Sequence, residues 1–206
     1  MAEPTDIEWQ IFNAREAQNW VHGWPTAVVS LVDPDDEHLL ATSPRPDLLQ
    51  LRLFLADVTD PGHPNAATEA DIDRLVAFAR RLPDGTRLLA HCRGGIGRSP
   101  AAVITLLVAA GWDPAVAFDR VTSQRQIARP NGWLLLLADQ QLTPHRTDGI
   151  FPAYVRWAQQ QPWWHPVPQR ITRDATKGRL SFDRCVDLVK AQTHKQREVD
   201  RGPFRS

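Results

Sequence analysis

Cysteine is nearly absent: among 206 residues there are only Cys92 and Cys185, far apart in the chain. So sparse a pair excludes a disulfide framework and suits a reducing compartment. Long apolar runs are missing too. No stretch approaches the roughly 18 consecutive apolar residues of a membrane span, and residues 1–6 show neither the basic nor the apolar segment of a secretory leader. The expectation is a cytoplasmic protein without a membrane partner. Net charge is also lacking, since 24 Lys and Arg cancel 24 Asp and Glu. No run interleaves basic and aromatic residues, so no nucleic-acid partner is expected. The cancellation hides an asymmetry: residues 1–144 hold 12 basic and 18 acidic residues, or −6, and residues 145–206 hold 12 and 6, or +6. The basic part would pack on its own acidic domain or reach an acidic partner.

What is present is concentrated in nine residues, His91-Cys92-Arg93-Gly94-Gly95-Ile96-Gly97-Arg98-Ser99. Residues 86–90 before them read as a short buried strand, and residues 100–110 after them as an apolar helix stopped by Gly111. The order is therefore strand, glycine-rich loop, helix. Gly94, Gly95 and Gly97 permit positive φ and close backbone approach, and the positive end of the following helix points at the same spot. A dianion fits such a cradle. Cys92 shares this electropositive setting, which favours the thiolate nucleophile. Arg98 offers a planar fork for two phosphate oxygens, and Ser99 can hydrogen-bond the sulfur when it leaves.

Along the rest of the chain, residues 7–12, 26–32 and 50–56 read as strands and residues 14–21 as a short helix. A further helix starts near Thr68, where Thr68 and Asp71 form a capping-box pattern and Ile72, Leu75, Val76, Ala79 and Leu82 share one face. Asp113-Pro114 starts another, over residues 115–121, and residues 132–142 form the next. Alternating strands and helices predict an α/β fold with a central, mostly parallel sheet flanked by helices, its site at the carboxyl ends of the strands. Phosphate-ester cleavage through Cys92 also needs an acid for the leaving oxygen and a base for water, and one carboxyl can serve both. Asp57, at a strand end before the turn-rich residues 58–65, is favoured; Asp60 is the rival. The histidines show no metal-ligand spacing, so neither metal nor cofactor is expected.

The loop and its flanks resemble the signature of the cysteine-dependent protein tyrosine phosphatase superfamily, His-Cys-x5-Arg-Ser/Thr, and most closely its small dual-specificity-like branch. Arg125-Gln126-Ile127-Ala128-Arg129-Pro130-Asn131 is similar to that branch's Arg-x-Ile-x-x-Pro-Asn segment, and the likeness covers residues 26–142. It implies that Cys92 forms a phosphocysteine, that Arg93 to Arg98 bind phosphate, that Asp57 is the acid, and that His91 and Ser99 support the loop. The implied substrate is a phosphorylated protein or a small phosphate ester. The lysines that some phosphoinositide phosphatases carry inside this loop are absent, which favours phosphoprotein over a small-molecule or phosphoinositide substrate. A rhodanese-like or arsenate-reductase-like thiol enzyme does not explain the five-residue spacing together with Asp57 and the Pro130-Asn131 segment. A non-catalytic phosphate-binding module would not need Cys92, Arg98 and an acid together.

Residues 1–142 are thus expected to form the catalytic domain, and residues 143–206 a basic, Trp- and Pro-rich helical extension. There Tyr154, Trp157, Trp163 and Trp164 cluster, and residues 181–192 read as a helix with Cys185, Val186, Leu188 and Val189 inward. The cluster would pack on the domain or grip a partner.

Overall fold

A computed structural model of the chain describes residues 3–41 and 45–200, with only the backbone for 193–200. Apolar, β-branched Ala27–Val32 (β2) is buried at all six positions, as a strand covered on both faces must be. It lies between β4 (Thr86–Cys92) and β3 (Leu49–Phe54), while β1 (Ile7–Asn13) pairs with the other side of β4, giving the order β1-β4-β2-β3 with every pair parallel. The register pairs Asn13 and Leu31 with Cys92, and Val32 with Phe54. The carboxyl ends of all four strands therefore meet at one edge, and Asp33, Asp57 and the glycine loop continue from it.

One sheet face is covered by α1 (Ala14–Trp20), whose Asn13 and Glu16 form a reciprocal capping box at 2.9 and 3.0 Å. Ala17 and Val21 there pack on Val28 and Leu89. The opposite face carries α2 (Glu69–Ala79) and α3 (Arg98–Ala109), and α5 (Gly132–Leu142) packs against these two helices. Helix α2 has the Thr68–Asp71 capping box read from the sequence. Helix α3 is apolar around its circumference and buried over its first ten residues, which makes it the central helix of that layer. Helix α4 (Pro114–Gln124) follows the Asp113 cap. Several boundaries differ from the sequence reading: β4 runs on to Cys92 and α3 already starts at Arg98, so the loop is shorter and tighter than expected; β3 stops at Phe54, so Leu55 and Ala56 stand between Asp57 and the strand; and α4 runs on to Gln124.

The extension folds back on this layer. Helix α6 (Ile150–Ala158), followed by α7 (Gln169–Thr176) and α8 (Phe182–Asp200), brings Tyr154 and Trp157 within 6.4 and 6.3 Å of the Phe118 ring. Cys185, Leu188 and Val189 of α8 join the same core as α3 and α5. At the turn into α6, buried Asp139 accepts hydrogen bonds from Thr143 Oγ1 (2.6 Å) and Phe151 N (3.0 Å). Burial pushes the Asp139 carboxyl up, and these hydrogen bonds pull the other way. No helix among the described residues is long and apolar enough to cross a membrane.

Candidate active site

Cys92 ends β4 at the carboxyl edge of the sheet and is 1% exposed, with the Ser99 hydroxyl donating to its Sγ at 3.3 Å. The loop that follows is held from outside. Arg93 O accepts from Ala14 N (3.3 Å), Gly95 O from Arg125 Nε (3.3 Å), Ile96 O from Arg129 N (2.8 Å) and Gly97 O from Asn131 N (3.1 Å). In a trans peptide the carbonyl and the next N–H point in opposite directions. Turning these four carbonyls outward therefore turns the N–H groups of Gly94, Ile96, Gly97 and Arg98 toward the interior of the loop. Helix α3 has no side-chain cap at Gly97, so its first amides are likewise left for an anion.

The glycines act differently from one another. Only Gly95 of the three has positive φ, at 66°, and a Cβ there would meet the Phe12 carbonyl at 2.7 Å. Gly97 has φ −105°; what it supplies is room, since a Cβ would come within 2.8 Å of Asp57 Oδ1. The expectation of positive φ at Gly94 and Gly97 is corrected accordingly.

Arg98, 2% exposed, is anchored by its Nη1 to Leu55 O (2.6 Å) and its Nη2 to Asp33 Oδ2 (2.9 Å). Its Nε is buried without a hydrogen-bond partner and lies 3.9 Å from Asp57 Oδ2. Asp57 lines a cleft of about 650 Å³ together with Asp33, Asp35, Arg93, Gly94 and Arg98. Its Oδ1 accepts from Asn131 Nδ2 (2.8 Å), and the same amide also donates to Val58 O (3.1 Å). Asp60 is engaged elsewhere, with Gly62 N and Lys190 Nζ each at 3.1 Å from its Oδ1. Arg93 lies 3.6 Å from Asp36 at the rim.

The sequence reading did not find Asp33, the partner of Arg98, nor the support Arg125 gives to Gly95. Its signal was positional only: Asp33 follows β2 directly, at the same sheet edge as Cys92. Asn131 caps α5 by accepting from Leu134 N (3.0 Å), and it also holds Asp57.

His91 departs from expectation. Its Nε2 accepts from Ala41 N (3.2 Å) and lies 2.7 Å from Ser30 Oγ, so it ties β4 to β2 and the residue-41 segment rather than bonding the loop itself. Burial, reinforced by the Arg98 cation, lowers its pKa to about 4. Since that is below the unfolded value of 6.5, the unfolded chain takes up the proton first, and stability present above pH 6.5 is lost as the pH falls toward 4. Urea unfolding is expected to show a loss of about 2 kcal/mol from this group between about pH 7 and pH 5. That increment should vanish in His91→Asn, and parallel pH slopes for the two proteins would refute it. Cys185 offers no second nucleophile: burial, with Asp139 nearby, pushes its thiol up to about 12.

No family model matches the chain, and no curated protein does. Among solved structures, it is similar to human DUSP28, at 22% identity over 65% of this chain and 87% of that one, TM-score 0.47. It is also similar to a mouse putative dual specificity phosphatase complexed with zinc tungstate, at 24% identity over 65% and 81%, TM-score 0.47. A third likeness is to PTPMT1 in complex with PI(5)P, at 18% identity over 66% and 88%, TM-score 0.45.

Proposed function

We propose that this chain is a cysteine-dependent phosphomonoesterase resembling the protein tyrosine and dual-specificity phosphatases, working through a phosphocysteine. The observation that carries the reading is the loop's polarity: four carbonyls tied outward, which turns the following amides inward, and a buried Arg98 whose Nε has no hydrogen-bond partner. A phosphoryl group seated there meets donors on its equatorial oxygens, where charge accumulates in the transition state.

The Cys92 thiolate attacks phosphorus, and the bond to the ester oxygen breaks. Asp57, with Oδ1 occupied by Asn131, gives the proton carried on Oδ2 to the departing oxygen. Water then attacks the phosphocysteine, the Asp57 carboxylate takes its proton, and the S–P bond breaks to release inorganic phosphate. The Ser99 hydroxyl stabilises the departing thiolate. Nucleophile, acid and charge stabilisation all come from side chains and amides, so the reading calls for no metal or cofactor.

Phosphoprotein is the favoured substrate. Asp33, Asp35 and Asp57 line the cleft opposite Arg93 and Arg98, and no lysine stands within the loop at residues 93–97 to meet the further phosphates of a phosphoinositide headgroup. The test is a rapid chemical quench of enzyme mixed with p-nitrophenyl phosphate in EDTA and reductant. A phosphoryl group on the Cys92 peptide by mass spectrometry is the expected result; turnover without that adduct, including in the slow Asp57→Asn variant, would overturn the proposal. Panels of phosphopeptides and phosphoinositides would then separate the substrate classes.

A further inference from the structure

Residues 57–67 form no helix or strand; turn bonds from His63 N to Asp60 O (3.1 Å) and Ala66 N to His63 O (3.0 Å) shape the segment, and contacts from other elements fix where Asp57 sits. The start of this segment is pinned by Asn131 to Asp57 and Val58. Its far end is pinned by the Trp133 indole N–H donating to Ala67 O (2.8 Å) and by Ala56 N donating to Asn65 O (2.7 Å). Its middle is reached from the C-terminal extension, where Lys190 Nζ lies 3.1 Å from Asp60 Oδ1.

Lys190 stands on a fixed element. The neighbouring Leu188 and Val189 are buried in the core, the Phe182 ring packs 6.1 Å from Trp133, and the Gln192 side chain both accepts from His165 N (2.8 Å) and donates to His165 O (3.2 Å). Helix α8 thus presents its ammonium group to the loop from a backbone held on either side. Resting on the phosphatase reading above, we propose that Lys190 is a positioning residue for proton transfer, bracing the Asp57 segment through Asp60. The extension, through this one lysine, is then part of the catalytic apparatus.

The brace is a half-exposed ion pair, so its effect is bounded: removal is expected to lower kcat about two- to five-fold. The distinguishing signature is the leaving group. p-Nitrophenolate departs with little help, whereas phenolate needs the proton, so the defect should be concentrated in the acid-dependent substrate. In Lys190→Met, the single-turnover rate of phosphocysteine formation from phenyl phosphate should fall while its KM and the formation rate from p-nitrophenyl phosphate stay near wild type, and hydrolysis of the phosphocysteine, for which Asp57 is the base, should slow by a similar factor with either substrate. Asp60→Asn should copy this, and the reversed pair Asp60→Lys with Lys190→Asp should recover part of the loss. About 0.5 M salt should bring wild type down to the variant's level, because exposed pairs are screened. Adding Lys190→Met to Asp57→Asn should change nothing further.

A wild-type rate of phosphocysteine formation from phenyl phosphate in Lys190→Met, or an equal loss in that formation rate with both substrates that persists in the Asp57→Asn background, would overturn the brace while leaving the acid assignment standing. If Asp57→Asn itself matched wild type on phenyl phosphate, the acid assignment would fall and the brace with it. Thermal midpoints of all variants, expected to agree within a few degrees, show that the loss is not one of folding.

Discussion

Cys92→Ser is expected to lower p-nitrophenyl phosphate turnover by at least about 10³-fold while leaving the fold and phosphate binding intact. A hydroxyl is close in size to a thiol, so the 1%-exposed position at the end of β4 stays filled. It is a far weaker nucleophile with no base beside it, because the neighbouring Ser99 is a donor to the sulfur and His91 faces Ser30 and Ala41. The companion change Arg98→Lys separates charge from geometry. Lysine keeps the cation but cannot reproduce a fork that bonds Leu55 O and Asp33 while leaving Nε to the cleft. A loss of about 10²–10³-fold in kcat is expected, the scale for removing an oriented donor from a developing charge. Steady-state kinetics with circular dichroism checks both variants; a folded Cys92→Ser enzyme retaining a tenth or more of wild-type kcat, on the order of ten times slower, would remove Cys92 from the chemistry.

The parts legible in the sequence were those whose determinants are contiguous. Residues 91–99 carry nucleophile, glycines, cation and helix start in one run, and the alternation of strands with capped helices gave the parallel sheet. Asp33 was not legible, because its meeting with Arg98 depends on β2 pairing with β4, a contact between segments some 60 residues apart. The same holds for Arg125 and Gly95, joined only because the segment after α4 returns to the loop. Gly97 was assigned the wrong reason: its need for a missing Cβ arises from Asp57, which comes from the segment after β3. Helices α6 and α7 went unread; Pro168 looks like a breaker, whereas it stands at the cap of α7, where a missing N–H costs nothing.

Asp57→Asn is expected to lower kcat for phenyl phosphate by about 10²–10⁴-fold, and the size of the loss should depend on the substrate. The carboxamide keeps the volume beside Gly97 and can still accept from Asn131, so the loop need not move. What disappears is the proton for the departing oxygen and, in the second step, the base for water. With p-nitrophenyl phosphate the first requirement is slight, so formation of the phosphocysteine stays fast, its hydrolysis slows, and the adduct accumulates as a burst. With phenyl phosphate the first step itself becomes limiting and no burst appears. Asp60→Asn serves as the control, since Asp60 is turned to Gly62 and Lys190: it should show only the few-fold effect of losing the brace. A burst in Asp60→Asn and none in Asp57→Asn would reverse the assignment, because the sequential acid and base roles belong to whichever carboxyl leaves phosphocysteine stranded when it is neutralised.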